Sequence, residues 1–393
     1  MNLDNGSAKD INFRAEFEYK PIKEREYIFD HVVNLINNKF YREDLGGVDW
    51  DFYAKSYKRF LPEINNDYDM AEMLSEMLGE LNASHTGARV GTTAPRQQTA
   101  NLGAFFDDEY DGDGLKIKEI IKGGPLDFTG SKIKAGHIIK KIDGQPIEKG
   151  KDYFPLLAGK SGKRTLLVLT DDKGKNEYEQ EVIPTSSGAV GNLLYKRWVE
   201  RRREMTEKYS GGRVGYVHVK AMNSESFRDV FSEVLGKNRN KEALVVDIRH
   251  NGGGWLHDDL GILLSGKLYQ TFEPRGLYIG SDPFMQWYKP SAVLMCENDY
   301  SNAHGFPFMY KALGIGKLVG APMAGTMTAV WWETQVNGRI VVGLPEVAVK
   351  DMSGKYLENQ DLYPDVIVYQ TPEERLKDDD VQLKKTIDTL LGK

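Results

Sequence analysis

Two short apolar runs, Arg213–Val219 (RVGYVHV) and Ala243–Ile248 (ALVVDI), restrict the fold more than any other feature of the chain. Both are continuous rather than alternating, so both faces of each strand are expected to be buried, as in a parallel sheet covered by helices on two sides. The stretch between them, Ser224–Lys237, has the spacing of a helix. A third apolar run, Ala292–Asn298, leads into a polar turn and a further helical stretch at Pro307–Gly314. Strand, helix and strand in this order predict an α/β domain. In such domains chemistry collects beyond the carboxyl ends of the strands. Two polar turns occupy such positions: Arg249–Gly254 (RHNGGG) and Asp299–Gly305 (DYSNAHG).

The period of the apolar residues changes twice upstream. Over 21–85 it is helical, with Tyr27–Tyr41 and Met70–Leu81 as the clearest helices and Asp67 or Asp69 as the expected cap of the second. Gly91–Ala100 is polar and reads as a linker. Over 101–185 short apolar runs recur between Gly-Gly-Pro and Asp-Gly turns, which predicts a small β-rich domain. Its order, from Asn101-Leu-Gly-Ala-Phe to Ile117–Ile147, resembles a PDZ domain, although His137 stands where that family usually has an acid. The resemblance implies that Leu102 and Gly103 form the loop that receives the end of an extended peptide. A plain spacer domain is the other reading. The whole chain is thus expected to be a multidomain α/β protein, with a helical subdomain over 12–95, a PDZ-like domain over 100–187 and an α/β domain over 190–393.

Composition narrows the partners. The chain has 393 residues and a formal net charge of −6, which offers no broad basic surface to phosphates and argues against a nucleic-acid partner. The one basic cluster, Lys196–Arg203 (KRWVERRR), reads as a charged helix face. One cysteine, Cys296, excludes an internal disulfide without fixing the compartment. No run approaches the roughly 18 apolar residues of a membrane span. The polar N-terminus lacks a signal core, which leaves open a soluble cytoplasmic protein or one whose upstream signal has been removed. No paired His/Cys spacing or HExxH motif occurs, so neither a metal nor another cofactor is expected.

The triple glycine at 252–254 allows a sharp turn and close backbone approach. Its free N–H groups could hold a phosphate or the oxyanion of an acyl intermediate. The Lys-Ser/Thr of a phosphate-binding loop is missing. Ser301, at a strand-to-helix turn, could be a nucleophile or a helix cap. A nucleophilic serine needs a base, and seven histidines are available. His31 reads as a packed helix residue and His218 as a strand residue. Residue patterns alone leave His85, His250, His257 and His304 open.

Asp69–Thr86 (DMAEMLSEMLGELNASHT), Asp247–Gly254, Tyr300–Phe306 and Tyr356–Asp365 (YLENQDLYPD) together resemble the catalytic half of the tricorn proteases. More broadly the chain is similar to the C-terminal processing peptidases. Gly47–Trp50 (GVDW) adds to the match, which covers about 12–370. The resemblance implies a C-terminal sheet domain of the ClpP/crotonase-like type and a serine peptidase acting through an acyl-enzyme. It implies Ser301 as nucleophile, His85 as base, Ser84 as the hydroxyl behind the imidazole and Glu358 as the acid behind Ser84. It implies the N–H groups of Asn302 and of one glycine in 252–254, with Gly253 favoured, as oxyanion donors. The implied substrate is a short or unfolded peptide, and a homo-oligomer is implied because relatives form rings or trimers. Asn302 and His304 depart from the acids that relatives carry near the nucleophile. Ala324–Thr334 also departs, and its Trp331 and Trp332 either line a pocket or pack internally. A non-catalytic peptide-binding scaffold is the rival reading.

Overall fold

The computed structural model describes residues 6, 10, 14–16, 18–91 and 97–393. Most of the polar N-terminus and residues 92–96 of the expected linker lie outside the described residues.

The first unit contains α1 (Pro21–Lys39), α2 (Trp50–Lys58) and α3 (Asp67–Gly79). The cap of α3 is Asn66, whose side chain accepts the N–H of Tyr68 and Asp69, not Asp67 or Asp69 themselves. Both acids instead lie in the first turn, where they favour the positive end of the helix dipole. The strand β1 (Gly87–Val90) follows. The second unit is a sheet of β2 (Ala104–Phe106), β3 (Leu115–Ile120), β4 (Ile138–Ile142), β5 (Gln145–Pro146), β6 (Thr165–Thr170) and β7 (Tyr178–Val182), with one helical turn, α4 (Phe154–Leu157). Its strands pair antiparallel around a core that includes Leu102, Ile139 and Leu167.

The third unit begins with α5 (Ser187–Ser210), β8 (Val214–His218), α6 (Ser224–Ser232), β9 (Ala243–Asp247) and α7 (His257–Leu264). A hairpin of β10 (Gln270–Phe272) and β11 (Gly280–Asp282) precedes β12 (Ser291–Met295) and α8 (Asn302–Ala312). The chain ends with β13 (Lys317–Gly320), β14 (Thr328–Thr334), β15 (Ile340–Ala348), β16 (Val366–Ile367), α9 (Pro372–Leu376) and α10 (Val381–Leu390). Strands β8, β9, β12, β13 and β16 form one parallel sheet in the order β16-β13-β12-β9-β8. Every residue of β9 and β12 is buried, as their unbroken apolar sequence requires. Helices α7 and α8 cover one face through Leu260, Phe306 and Tyr310. The other face packs on α10 through Leu383 and Ile387.

The expected helical unit is not helical alone. Strands β14 and β15 leave the C-terminal unit and pair with β1 in the order β1-β15-β14. Ile340, Val342 and Leu344 of β15 complete the core of α1 and α3, beside Val32, Met70 and Leu74. The helices' apolar stripe needs such a cover, but it comes from about 260 positions away, beyond the reach of local periodicity. This crossing carries the turn after α3 to the carboxyl ends of the parallel strands.

Candidate active site

Ser301 stands where α8 begins. The helix starts at Asn302, five residues before the expected Pro307. Ser301 does not cap it: its side chain makes no cap hydrogen bond, and its backbone has φ 58° and ψ −125°. A serine in this region is strained. The strain turns Oγ out of the helix end toward the neighbouring unit. Thr326 Oγ1 accepts the Ser301 N–H at 2.8 Å.

His85, in the turn after α3, lies opposite, with Nε2 2.9 Å from Ser301 Oγ. Its Nδ1 lies 2.8 Å from Ser84 Oγ and 3.0 Å from Thr328 Oγ1. Ser84 Oγ donates to Glu358 Oε2 at 2.9 Å, and Glu358 Oε1 accepts the Ser84 N–H. A carboxylate only accepts, so this network assigns Nδ1–H as the donor toward the two hydroxyls and leaves Nε2 as the acceptor for Ser301. Burial holds the His85 imidazolium pKa below its ordinary value. Burial raises the Glu358 carboxyl, against the pull of the two Ser84 donors. Tyr300 fixes the histidine from below: its hydroxyl accepts the His85 N–H at 2.8 Å and the two rings lie 4.8 Å apart.

The glycine turn closes the other side. Asn251 is fully buried, and its Nδ2 donates to the Val219 carbonyl. Its Oδ1 accepts the Gly253 N–H at 2.8 Å. That proton is therefore engaged, a correction to the favoured oxyanion donor. Gly253 instead packs its backbone on Ser301, where an added Cβ would stand 2.6 Å from Ser301 Cβ. Its neighbours Gly252 and Gly254 line a cavity of about 420 Å³ with His85, Ser301, Asn302 and Trp332. Among the described residues, the N–H groups of Gly252, Gly254 and Asn302 meet no protein acceptor. The turn is anchored behind by Arg249, buried between Asp247 and Asp380, with Nη2 at 2.7 Å and 2.9 Å from their carboxylates.

Asn302 has a second task. Its Oδ1 accepts the N–H groups of Leu256 and His257 at 2.8 and 3.1 Å, capping α7, whose own N-cap residue offers no side-chain bond. His304 faces the core, 1% exposed. Burial pushes it down to about 4. Trp332 lines the cavity and stacks under Arg89, whose Cζ is 3.9 Å from the ring. Trp331 is exposed and does not line it.

The PDZ-like loop differs from expectation. Leu102 is 2% exposed and belongs to the domain core. The Gly103 N–H donates to Asn101 Oδ1 at 2.7 Å, and Gly103 packs on Pro125. Neither residue is free to receive a peptide terminus in this state. Thr328, Thr326 and Tyr300 had no role in the sequence reading. Tyr300 adjoins Ser301 in sequence, but Thr328 reaches the site only through the crossing of β14, which no local pattern announces.

Three family descriptions match the chain: the tricorn protease C1 domain over 21–79, the tricorn protease PDZ domain over 101–185 and peptidase family S41 over 213–368. "Tricorn protease homolog 1" of Streptomyces coelicolor is 28% identical over 95% of this chain and 36% of its own length. "Tricorn protease" of Thermoplasma acidophilum is 24% identical over 93% of this chain and 34% of its own. The chain thus spans about a third of the length of these curated relatives. A crystal structure of the tricorn protease superposes with a TM-score of 0.81 at 22% identity, over 94% of this chain and 37% of the other, which shows a shared fold. No helix among the described residues is long and apolar enough to cross a membrane. With the C1 and PDZ matches ahead of the S41 match, the chain is similar to the tricorn proteases in three successive segments between residues 21 and 368.

Proposed function

We propose that the chain hydrolyses bonds in short or unfolded peptides through an acyl-enzyme on Ser301. His85 takes the Ser301 proton as Oγ attacks the carbonyl carbon, then returns it to the leaving amine; a water repeats the cycle to release the acid. Ser84 and Glu358 act behind the histidine, fixing its tautomer and stabilising the imidazolium through a hydroxyl. The Asn302 N–H and a second N–H from Gly252 or Gly254 receive the oxyanion. The observation that carries this reading is the 2.9 Å contact of Ser301 Oγ with His85 Nε2, made by a serine whose backbone suits neither a cap nor a regular helix.

Ser301→Ala should lower turnover by about 10⁴-fold or more and abolish labelling by a serine-directed phosphonate. Labelling of the variant at the wild-type rate would remove Ser301 from its role. The scaffold alternative draws less support, because Leu102 is buried and the Gly103 N–H is spent internally. The proposal includes a ClpP/crotonase-like form for the parallel-sheet domain, the domain bounds 12–95, 100–187 and 190–393, and assembly into a homo-oligomer.

A further inference from the structure

The basic cluster Lys196–Arg203 does not merely face solvent. Its helix, α5, forms one wall of a cavity of about 740 Å³ at the carboxyl ends of β8 and β9. Six of the thirteen lining residues are Arg or Lys, and one, Asp378, is acidic. Three of the cations are held by the protein: Arg249 by Asp247 and Asp380, Arg202 by Asp378 and Asp380, and Arg197 by Glu119. The other three are not. Arg201 stands 3.8 Å from Asp378, a carboxylate already bound to Arg202, and keeps 55% of its side chain exposed. Arg375 reaches Glu297 only at 3.9 Å. Among the described residues, Lys220 Nζ meets Asn192 Oδ1 and the Tyr195 ring but no carboxylate. The cavity is also lined by Trp198, whose ring packs under Arg202 at 5.0 Å and Arg249 at 5.7 Å.

We propose that this cavity is a regulatory site for a small organic polyanion, a di- or tricarboxylate or a phosphate ester carrying at least two negative charges. Arg201, Arg375 and Lys220 supply three cations at one opening, and guanidinium forks match carboxylate and phosphate oxygens. The site connects to Ser301 through the chain itself. Arg249 and His250 line the cavity and run directly into Asn251–Gly254. His250 holds φ 68°, an uncommon conformation for a non-glycine residue. A ligand that pulls on this wall shifts the turn that packs on Ser301.

The test is calorimetry on the full chain with pyrophosphate and, separately, citrate, against sodium chloride of equal ionic strength. One saturable site per chain for either probe is expected. Arg201→Ala combined with Arg375→Ala should weaken it by about tenfold or more. Arg197→Ala, whose partner is Glu119, should change it by less than about threefold. No saturable binding, or unchanged affinity in the double variant, overturns the site. The regulatory role rests on the proposed reactivity of Ser301. It is read by the rate of phosphonate labelling with the site empty and filled, and an unchanged rate overturns it. Calorimetry needs no reactive serine, so the two failures are distinguishable.

Discussion

Gly252–Gly254 and Leu102–Gly103 are both glycine turns that suit the capture of a peptide group, and they hold their backbone protons in opposite ways. At the first, Asn251 consumes only the middle N–H, and the flanking Gly252 and Gly254 face the cavity beside Ser301. At the second, Asn101 consumes the Gly103 N–H and the leucine is folded into the core. An Asx-type bond from the residue two positions earlier occurs at both. The difference lies in what remains exposed after it forms. A glycine turn becomes a receptor only when the protein leaves donors unspent, and that count depends on neighbours in space.

Substituting the two glycines breaks or sharpens this contrast. Gly254 has φ 135°, and a Cβ there would stand 2.1 Å from the Met222 carbonyl. Gly254→Ala must therefore move the turn, and kcat on a short peptide should fall by about 10²–10³-fold, as for loss of an oxyanion donor. Gly103 is equally strained, with φ 70° and Pro125 Cδ at 2.5 Å. Gly103→Ala should lower the melting temperature and leave kcat on the same peptide within about twofold. Equal kinetic effects of the two would erase the distinction.

Next in size is the carboxylate behind Ser84. Glu358→Gln keeps an acceptor and loses the charge, so steady-state kcat should fall by roughly 10²-fold, less than for an acid bonded directly to the imidazole. An unchanged kcat would reduce Glu358 to a structural anchor.

Smaller effects come from pH. Burial disfavours the charged His85, so its imidazole stays neutral to lower pH than a free one. The acid limb of kcat/KM should then have its midpoint below 6.5; a midpoint above 7 would contradict a buried, uncharged base. His304 gives a stability signal instead. The fold holds it near 4, whereas the unfolded chain protonates it near 6.5. Between these values the unfolded state binds more protons, so this group lowers stability as pH falls, by up to about 3 kcal/mol. Denaturant unfolding of wild type and His304→Gln should show that the wild type loses its relative stability from pH 7 to 4. Parallel pH curves would sink this account of His304.

Much of the frame was legible from residue order. The unbroken runs of β8 and β9 announced a buried parallel sheet, and helical spacing announced α1 and α3, because both signals are local. The pairing of Ser301 with His85 was not. Residues around Ser301 pointed to a cap before a nucleophile, and four histidines stayed open until the family resemblance chose one. The strands β14 and β15 escaped because a helical unit's missing cover can come from anywhere in the chain. Thr328 escaped with them: its hydroxyl lies 3.0 Å from His85 Nδ1 only because that strand crosses over. The Gly253 assignment failed on one proton, since no motif records which N–H an asparagine two residues back has taken.

The account turns on Ser301 being activated by His85. Mass spectrometry of the chain after timed exposure to a fluorophosphonate, on wild type and His85→Ala, measures this directly. The account predicts one adduct, on Ser301, forming about 10³-fold more slowly in the variant. An adduct on another residue, or equal rates in the two proteins, would contradict it.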